Sequence, residues 1–148
     1  MVLTSNSIAE INVVKAHLHS RFHIEDLEPL KYFLGLEVTR SLDGLVLNQR
    51  KYCLDLISEA GMLRCKPAPT SSDPSIKLHA YEGALLPNPS FFRRLIGWLL
   101  YLTNIRPDIS FVVQQLSQFV SSPREPHMQQ ALQIIRYLKH APGYGFFV

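Results

Sequence analysis

The sequence has few cysteines and no long apolar run. Its 148 residues include two cysteines, Cys53 and Cys65, which form no Cys-x-x-Cys pair and no metal-binding spacing. This scarcity argues against a disulfide framework and fits a reducing compartment. No stretch of 18 apolar residues occurs, so no membrane span and no membrane partner are predicted. The first ten residues lack the basic and apolar segments of a secretory signal. We therefore expect an intracellular location, with the cytoplasm or nucleus favoured over the mitochondrion.

Motifs for the common enzyme chemistries are also missing. The chain has no Gly-x-Ser-x-Gly, no phosphate-binding P-loop and no dinucleotide fingerprint, so no small-molecule substrate is indicated. Glu25 and Asp26 are adjacent, and on a strand they would point in opposite directions, which favours a solvated turn over a metal role. His19 and His23 have the spacing of a zinc pair on a helix, but no third ligand follows. We predict no catalytic residue and no metal ligand.

The composition and the charge distribution indicate a folded chain with a basic C-terminal half. Hydrophobic residues make up 47% and charged residues 18%, which argues against disorder. The net charge is +3, and residues 91–148 carry six basic side chains against two acidic ones. This excess permits contact with phosphates, and an ordinary basic surface explains it equally well.

Periodicity predicts a helix, a hairpin and a second helix in the first part of the chain. Apolar residues recur at helical spacing over residues 7–20, where Ser7 can cap the start. Residues 31–40 alternate as a strand does, and Asp43-Gly44 before a second apolar run is a strong hairpin signal. A helix then runs from about Lys51 to Ala60, and Gly61 can end it.

The second part of the chain predicts a linker, three helices and a short strand. Residues 62–89 hold five of the ten prolines and show no period, which is typical of a linker between two sub-domains. Three helical stripes follow, which can form a small bundle. They contain Phe92, Leu95, Ile96 and Leu99; then Ile109, Val112, Val113, Leu116 and Val120; then Met128, Ala131, Leu132, Ile135 and Leu138. Residues 144–148 resemble the opening of a strand without a partner. The predicted class is α+β, and we expect the sequence to be cut at both ends.

Several stretches resemble the reverse transcriptase of copia-type LTR retrotransposons, a family abundant in plants. The resemblance covers nearly the whole chain, with motifs in the family's order. They are Leu30–Val38 (LKYFLGLEV), Leu45–Tyr52 (LVLNQRKY), Phe92–Gly97 (FRRLIG), Tyr101–Thr103, Arg106–Ile109 (RPDI), Leu116–Phe119 and Arg136–Lys139 (RYLK). The family uses Mg²⁺ held at a Tyr-Val-Asp-Asp turn, which the resemblance places just before Met1. The resemblance therefore implies that this turn, the family's earlier palm aspartate, the fingers and an RNase H domain are absent here. Without these aspartates, the ligands for a Mg²⁺ cofactor are missing.

The resemblance also implies a domain division. Residues 1–61 correspond to the end of a polymerase palm, with a helix and a primer-grip-like hairpin. Residues 62–89 form a proline-rich linker, residues 90–143 a small helical thumb-like bundle, and residues 144–148 the start of a connection to RNase H.

The resemblance assigns two sets of site residues. The primer-grip-like set is Phe33, Leu34, Gly35, Leu36, Leu45, Asn48 and Gln49. Gly35 would allow close approach of the backbone to a phosphate. The set that would track phosphates without reading sequence is Arg93, Arg94, Arg106 and Lys139. For Arg106, an ion pair with Asp108 is an equally good interpretation.

Three functional hypotheses follow. The first is a truncated, non-catalytic part of a retrotransposon polymerase, or a slice of an active enzyme whose aspartates lie upstream. The second is a module with weak, sequence-independent affinity for an RNA–DNA hybrid or a DNA duplex. The third is an interaction module that forms homo-oligomers, or docks on an intact polymerase, through open sheet edges at residues 1–6 and 144–148.

Overall fold

The computed structural model describes residues 1–148 and contains five helices and one antiparallel sheet of four strands. The strands lie in the order β1-β2-β3-β4. The helices are α1 (Ile8–Phe22), α2 (Arg50–Glu59), α3 (Ser90–Leu102), α4 (Pro107–Ser117) and α5 (Glu125–His140). The strands are β1 (Tyr32–Phe33), β2 (Leu36–Ser41), β3 (Gly44–Asn48) and β4 (Gly145–Phe147). The mixed α and β class is as predicted. None of these helices is long and apolar enough to cross a membrane.

Helix α1 forms where the sequence predicts a helix, but it lies on the surface. The Ser7 hydroxyl accepts a hydrogen bond from the Glu10 amide at 3.5 Å, which is the expected N-cap. His23 ends the helix in the left-handed conformation, with φ of 50°. No residue of α1 is buried, and Ile8, Val13 and Val14 are exposed. The helix therefore leaves its apolar stripe largely uncovered.

The predicted strand over residues 31–40 is wrong, because this stretch is itself a hairpin. β1 and β2 pair antiparallel, with Phe33 opposite Leu36. Leu34 and Gly35 between them have φ of 50° and 80°. Two successive positive φ values are typical of the two-residue turns that join antiparallel strands. The alternating pattern hides this turn because apolar residues continue through it.

The second hairpin forms near Asp43-Gly44, but its turn lies one residue earlier than this dipeptide predicts. Ser41 pairs with Gly44, so the two turn residues are Leu42 and Asp43. Gly44 instead begins β3, where a Cβ atom would lie 2.5 Å from the carbonyl oxygen of Val148. Its lack of a side chain lets the C-terminal strand approach.

The core lies among α2, α3, α4 and α5. Every residue of the α3 stripe that periodicity predicts is buried. The predicted stripes of α4 and α5 are buried except at Val120, Met128 and Leu132, which are half-buried. Ile134 of α5 and three residues of α2, Cys53, Leu56 and Ile57, join the same cluster. The helix that the sequence grouped with the hairpin therefore packs with the helices that follow residue 89.

The segment from 62 to 89 has no helix or strand, yet it is bonded along α5. The Ala68 amide donates to the Arg136 carbonyl at 3.1 Å, and Ala68 is buried. The buried Gln130 side chain donates to the Ser71 carbonyl and accepts from the Asp73 amide. These bonds give hydrogen-bond partners to backbone groups of a segment that forms no helix or strand.

The open sheet edges expected at the two ends require a correction. Residues 1–6 form no strand. Residues 144–148 do have a partner, because β4 pairs antiparallel with β3, with Leu47 opposite Phe146. The chain returns to the hairpin after α5, and this return is a consequence of tertiary packing. The free edges of the sheet are the outer sides of β1 and β4.

Candidate nucleic-acid interface

Six of the seven primer-grip-like residues lie at one end of the sheet. Phe33, Leu34, Gly35 and Leu36 make the turn between β1 and β2. Asn48 pairs with Glu37 on the neighbouring strand, and Gln49 follows it. Leu45 does not join them, because it pairs with Arg40 at the opposite end of the hairpin. Leu34 is 71% exposed, so the turn presents an apolar side chain to solvent.

Asn48 and Gln49 have structural roles at the corner between β3 and α2. The Asn48 side-chain oxygen accepts from the Arg50 amide at 3.0 Å, and the Gln49 carbonyl accepts from the Cys53 amide. The side chain of Gln49 is 2% exposed, and its Oε1 has no hydrogen-bond partner. Both residues therefore bond to the first turn of α2 and help to hold this corner.

Tyr101 on α3 attaches the turn to the helices. Its hydroxyl donates to the Leu34 carbonyl. A Cβ atom on Gly35 would lie 2.9 Å from the same hydroxyl oxygen, so only glycine leaves room for this contact. The ring of Tyr101 also packs edge-on against Tyr52 of α2, with centroids 4.9 Å apart. Burial raises the pKa of Tyr52, which keeps this neighbour neutral.

Arg94 lies on the same side of α3 as Tyr101. Positions 94, 98 and 101 follow the helical repeat and share one face. The guanidinium carbon of Arg94 is 5.0 Å from the Trp98 ring centroid and 5.7 Å from that of Phe91. These stacks orient an exposed cation without using its N–H donors. Next to it, Gly97 has open space where a side chain would be.

The turn and α3 together make one surface, the hairpin–α3 face, formed by Leu34, Gly35, Arg94, Gly97, Trp98 and Tyr101. It combines aromatic rings, an exposed guanidinium with free donors and accessible backbone. Rings can stack on bases or sugars, and a guanidinium can bind a phosphate with two parallel hydrogen bonds. Trp98 is half-buried and also packs against the core, whereas Tyr101 is exposed. The signal for their placement was their spacing from Arg94.

The structure gives Arg93 and Lys139 partners within the chain. Arg93 donates to the Val120 carbonyl at 2.8 Å and to the Ser121 carbonyl at 3.1 Å, which holds the connection after α4. The ammonium of Lys139 donates to the carbonyls of Leu63 and Cys65. Both cations therefore donate hydrogen bonds to backbone carbonyls of loops. Arg94 is the member of the predicted phosphate-tracking set whose guanidinium is not used in this way.

Arg106 is buried, with 2% of its surface exposed. It donates to both carboxylate oxygens of Asp108, at 3.0 Å and 2.8 Å, and to the Ala141 carbonyl at 2.8 Å. Tyr137 donates to the same carboxylate at 2.7 Å. Burial would raise the pKa of Asp108, but the hydrogen bonds from Arg106 and Tyr137 outweigh it and hold this pKa below its usual value. The ion-pair interpretation of Arg106 is the one this geometry supports.

The acidic residues form no cluster, and several of them are engaged in local hydrogen bonds or ion pairs. No group of three or more His, Cys, Asp or Glu side chains lies close enough to hold a metal ion. Asp26 binds Lys15 at 2.8 Å, and Glu37 accepts from the Lys51 amide at 2.8 Å. The Asp73 carboxylate accepts from the Ser75 amide and hydroxyl. These carboxylates serve turns and local ion pairs.

The histidine pair on α1 caps a helix end. The Nδ1 of His19 lies 2.7 Å from the Ile24 carbonyl, and the Nδ1 of His23 lies 3.4 Å from the His19 carbonyl. Each ring directs a nitrogen at a backbone oxygen, which suits a donor N–H and helix-end capping. Both histidines are exposed on the surface.

Comparison with known proteins adds an independent observation. The profile described as "Reverse transcriptase (RNA-dependent DNA polymerase)" matches residues 1–74. Over its whole length, the chain is 41% identical to the retrovirus-related Pol polyprotein from transposon RE1 of Arabidopsis thaliana. The match covers 10% of that polyprotein. The chain is 37% identical to a similar share of the polyprotein from transposon RE2 of the same plant. It is also 36% identical to an uncharacterized mitochondrial protein of Arabidopsis thaliana, and this match covers 61% of that protein. No solved structure matches. The chain thus spans about a tenth of the length of the two transposon polyproteins.

Proposed function

Because the chain belongs to the reverse transcriptase family of copia-type retrotransposons, we propose that it holds nucleic acid in such a polymerase and does not itself catalyse synthesis. In this assignment, α1 and the two hairpins are the end of the palm with its primer grip. Helices α3, α4 and α5 form the thumb. The single observation that carries the proposal is the contact of Tyr101 with the Leu34–Gly35 turn, which joins the two predicted nucleic-acid contacts into one surface.

The hairpin–α3 face suits a duplex recognised by shape and charge. The guanidinium of Arg94 packs near two aromatic rings, which orient it, and its N–H donors are free for a phosphate. Trp98, Tyr101 and Leu34 offer apolar contact to sugars or to the terminal base pair. The face has one cation and no amide or carboxylate side chain, so we expect it to contact phosphates and to bind electrostatically, independent of sequence. The partner is an RNA–DNA hybrid or a DNA duplex, bound weakly.

Fluorescence anisotropy with a labelled RNA–DNA hybrid tests this surface. Affinity is expected to fall by at least about tenfold between about 50 mM and about 200 mM salt, because a few phosphate contacts release counterions. Arg94→Gln should weaken binding and reduce the slope of log K against log salt by about 1. Arg64→Gln is the matched control, because it removes the same charge from an exposed loop position. Equal effects of the two variants, or no binding at low salt, would refute the interface.

A primer-extension assay tests the non-catalytic assignment separately. The purified chain is incubated with a primer–template, nucleotides and either Mg²⁺ or Mn²⁺. No incorporation above a buffer control is expected, because its carboxylates form no cluster that could hold the metal ions of such a reaction. Incorporation that persists after a second purification step would show that the chain assembles a metal site of its own.

A second candidate function is self-association through the sheet. The outer sides of β1 and β4 are unpaired, and Phe147 beside one of these edges is 63% exposed. Free strand edges can pair with a second copy. Light scattering at rising protein concentration should show dimers that Phe147→Lys abolishes. A monomer throughout the concentration series would eliminate this candidate.

A further inference from the structure

The segment from His79 to Leu86 is fastened to the start of α5 by a compact set of hydrogen bonds. The guanidinium of Arg124 donates to the carbonyls of Ala80 and Gly83, at 2.8 Å and 2.7 Å. The Glu125 amide donates to the Ala84 carbonyl at 2.9 Å, and the Leu86 amide donates to the Pro123 carbonyl at 3.0 Å. The family resemblance and the hairpin–α3 face do not account for this attachment.

His127 lies beneath the attachment and is fully buried. Its ring stacks on Phe119, with centroids 4.0 Å apart and planes 15° from parallel. Its Nδ1 accepts from the Arg124 amide at 3.0 Å, and its Nε2 lies 3.1 Å from the His79 carbonyl. An amide N–H only donates and a carbonyl only accepts. The neutral ring with its proton on Nε2 is therefore the form that satisfies both partners.

We propose that His127 is a protonation-sensitive latch, which holds residues 79–86 on the start of α5 when neutral and releases them when protonated. Protonation would place an N–H on Nδ1, directly opposite the N–H of Arg124. The acceptor for that amide would be lost, and a buried positive charge would appear beside the Arg124 guanidinium. Release of the segment lets water reach the ring and relieves both effects.

Charged groups of both signs lie around the ring, and the positive charge of Arg124 is the one that favours the neutral form. From α5 these are Arg124 and Glu125, and from the segment they are His79 and Glu82, whose exposed side chains lie 4.0 Å apart. From α3, Arg93 binds carbonyls of the connection that carries Phe119. Burial lowers the pKa of His127 below 6.5, the bond to His79 opposes this, and the charge of Arg124 lowers it further. The latch is thus closed above about pH 6.5 and is lost as the pH falls through the lowered pKa.

Amide hydrogen exchange in the full chain between pH 5 and pH 8, corrected for intrinsic rates, tests the latch. Protection of the Arg124, Glu125 and Leu86 amides should fall by up to about tenfold per pH unit below the pKa of the latch. His127→Gln should remove this dependence, because glutamine at this helix position also reaches back to the capping amide and does not titrate. His79→Gln is the matched control and should leave the dependence intact.

Three results would overturn the latch. They are pH-independent protection in the unaltered chain, an equal fall in His127→Gln, or a response that His79→Gln abolishes. A second measurement does not depend on any variant folding. Nitrogen chemical shifts of the His127 ring in the unaltered protein should show Nδ1 without a proton at pH 7.5, and a proton on Nδ1 at that pH would equally refute the proposal.

Discussion

At the scale of single residues, the feature with the largest consequence is the buried arginine at position 106. A guanidinium removed from water is unfavourable unless its donors are paired. Here Nε and Nη2 donate to the Asp108 carboxylate, and Nη1 donates to the Ala141 carbonyl. Tyr137 and Tyr144 flank the cation at 5.6 Å and 5.5 Å. The cluster links the start of α4 to the chain just after α5, so it holds the helices in their mutual arrangement.

Asp108→Asn is expected to lower the free energy of unfolding by about 3 kcal/mol, because it leaves Arg106 buried without a counter-charge. Urea unfolding at pH 7 measures the change. Asp55→Asn is the control, since it breaks an exposed ion pair with Lys51, and it should leave stability unchanged.

The stability difference between the wild type and Asp108→Asn also depends on pH. The pKa of Asp108 is lowered in the folded state, so its contribution is present above its ordinary value of 3.8 and is lost as the pH falls through the lowered pKa. The difference between the wild type and Asp108→Asn should therefore shrink in acid. A constant difference down to about pH 2 would contradict the ion pair.

At the scale of elements, the decisive feature is the turn between β1 and β2. Its two residues have positive φ, and one of them is packed against a tyrosine of α3. A hairpin of two short strands is marginal alone, so the contact with α3 supplies support that the strands lack. This explains how a turn with an exposed leucine keeps a defined position.

Gly35→Ala is expected to destabilise the protein by about 1–2 kcal/mol, because alanine is strained at a φ of 80° and its Cβ would press on Tyr101. Gly97→Ala makes the same chemical change in α3, where the added methyl meets nothing within 4 Å. That variant should stabilise the helix by about 0.5–1 kcal/mol. Urea unfolding of the pair provides the test, and effects of the same sign would mean that the turn is not built as described.

At the scale of the whole molecule, the buried residues are concentrated in one part of the chain. Helices α2, α3, α4 and α5 share one core of 16 residues, whereas α1 buries none. A groove of about 1190 Å³ lies between α1 and the segment before β1, with Ile8, Ile11, Leu27 and Phe33 among its lining residues. Local stability follows buried contacts, so the two parts should open with different free energies.

Native-state hydrogen exchange should show this division. Amides of α3, α4 and α5 are expected to exchange only through global unfolding, with free energies equal to that from urea. Amides of α1 should exchange at least about a hundredfold faster, through local opening. Ser7→Ala, which removes the cap of α1, should speed exchange in α1 alone. Equal protection of α1 and α3 would show that something on α1 is buried after all.

Apolar periodicity predicts the core helices from the sequence, and the order of short motifs identifies the family. The apolar stripes of α3, α4 and α5 are readable because a helical repeat is a local property that shows in one stretch of chain. The family is readable because several short motifs occur in a fixed order. The positive-φ turn at Leu34 was not readable, since leucine rarely adopts that conformation and the apolar pattern continues through it.

Tertiary structure alone decided which distant residues meet. The pairing of β4 with β3, the contact of Tyr101 with the first turn and the attachment of residues 62–89 to α5 all join positions far apart in sequence. So do the bonds that occupy Arg93 and Lys139 and leave Arg94 exposed. Charge and residue type are visible in a sequence, but a cation is free for a ligand only if folding brings no carbonyl or carboxylate to it. That outcome depends on how the whole core packs.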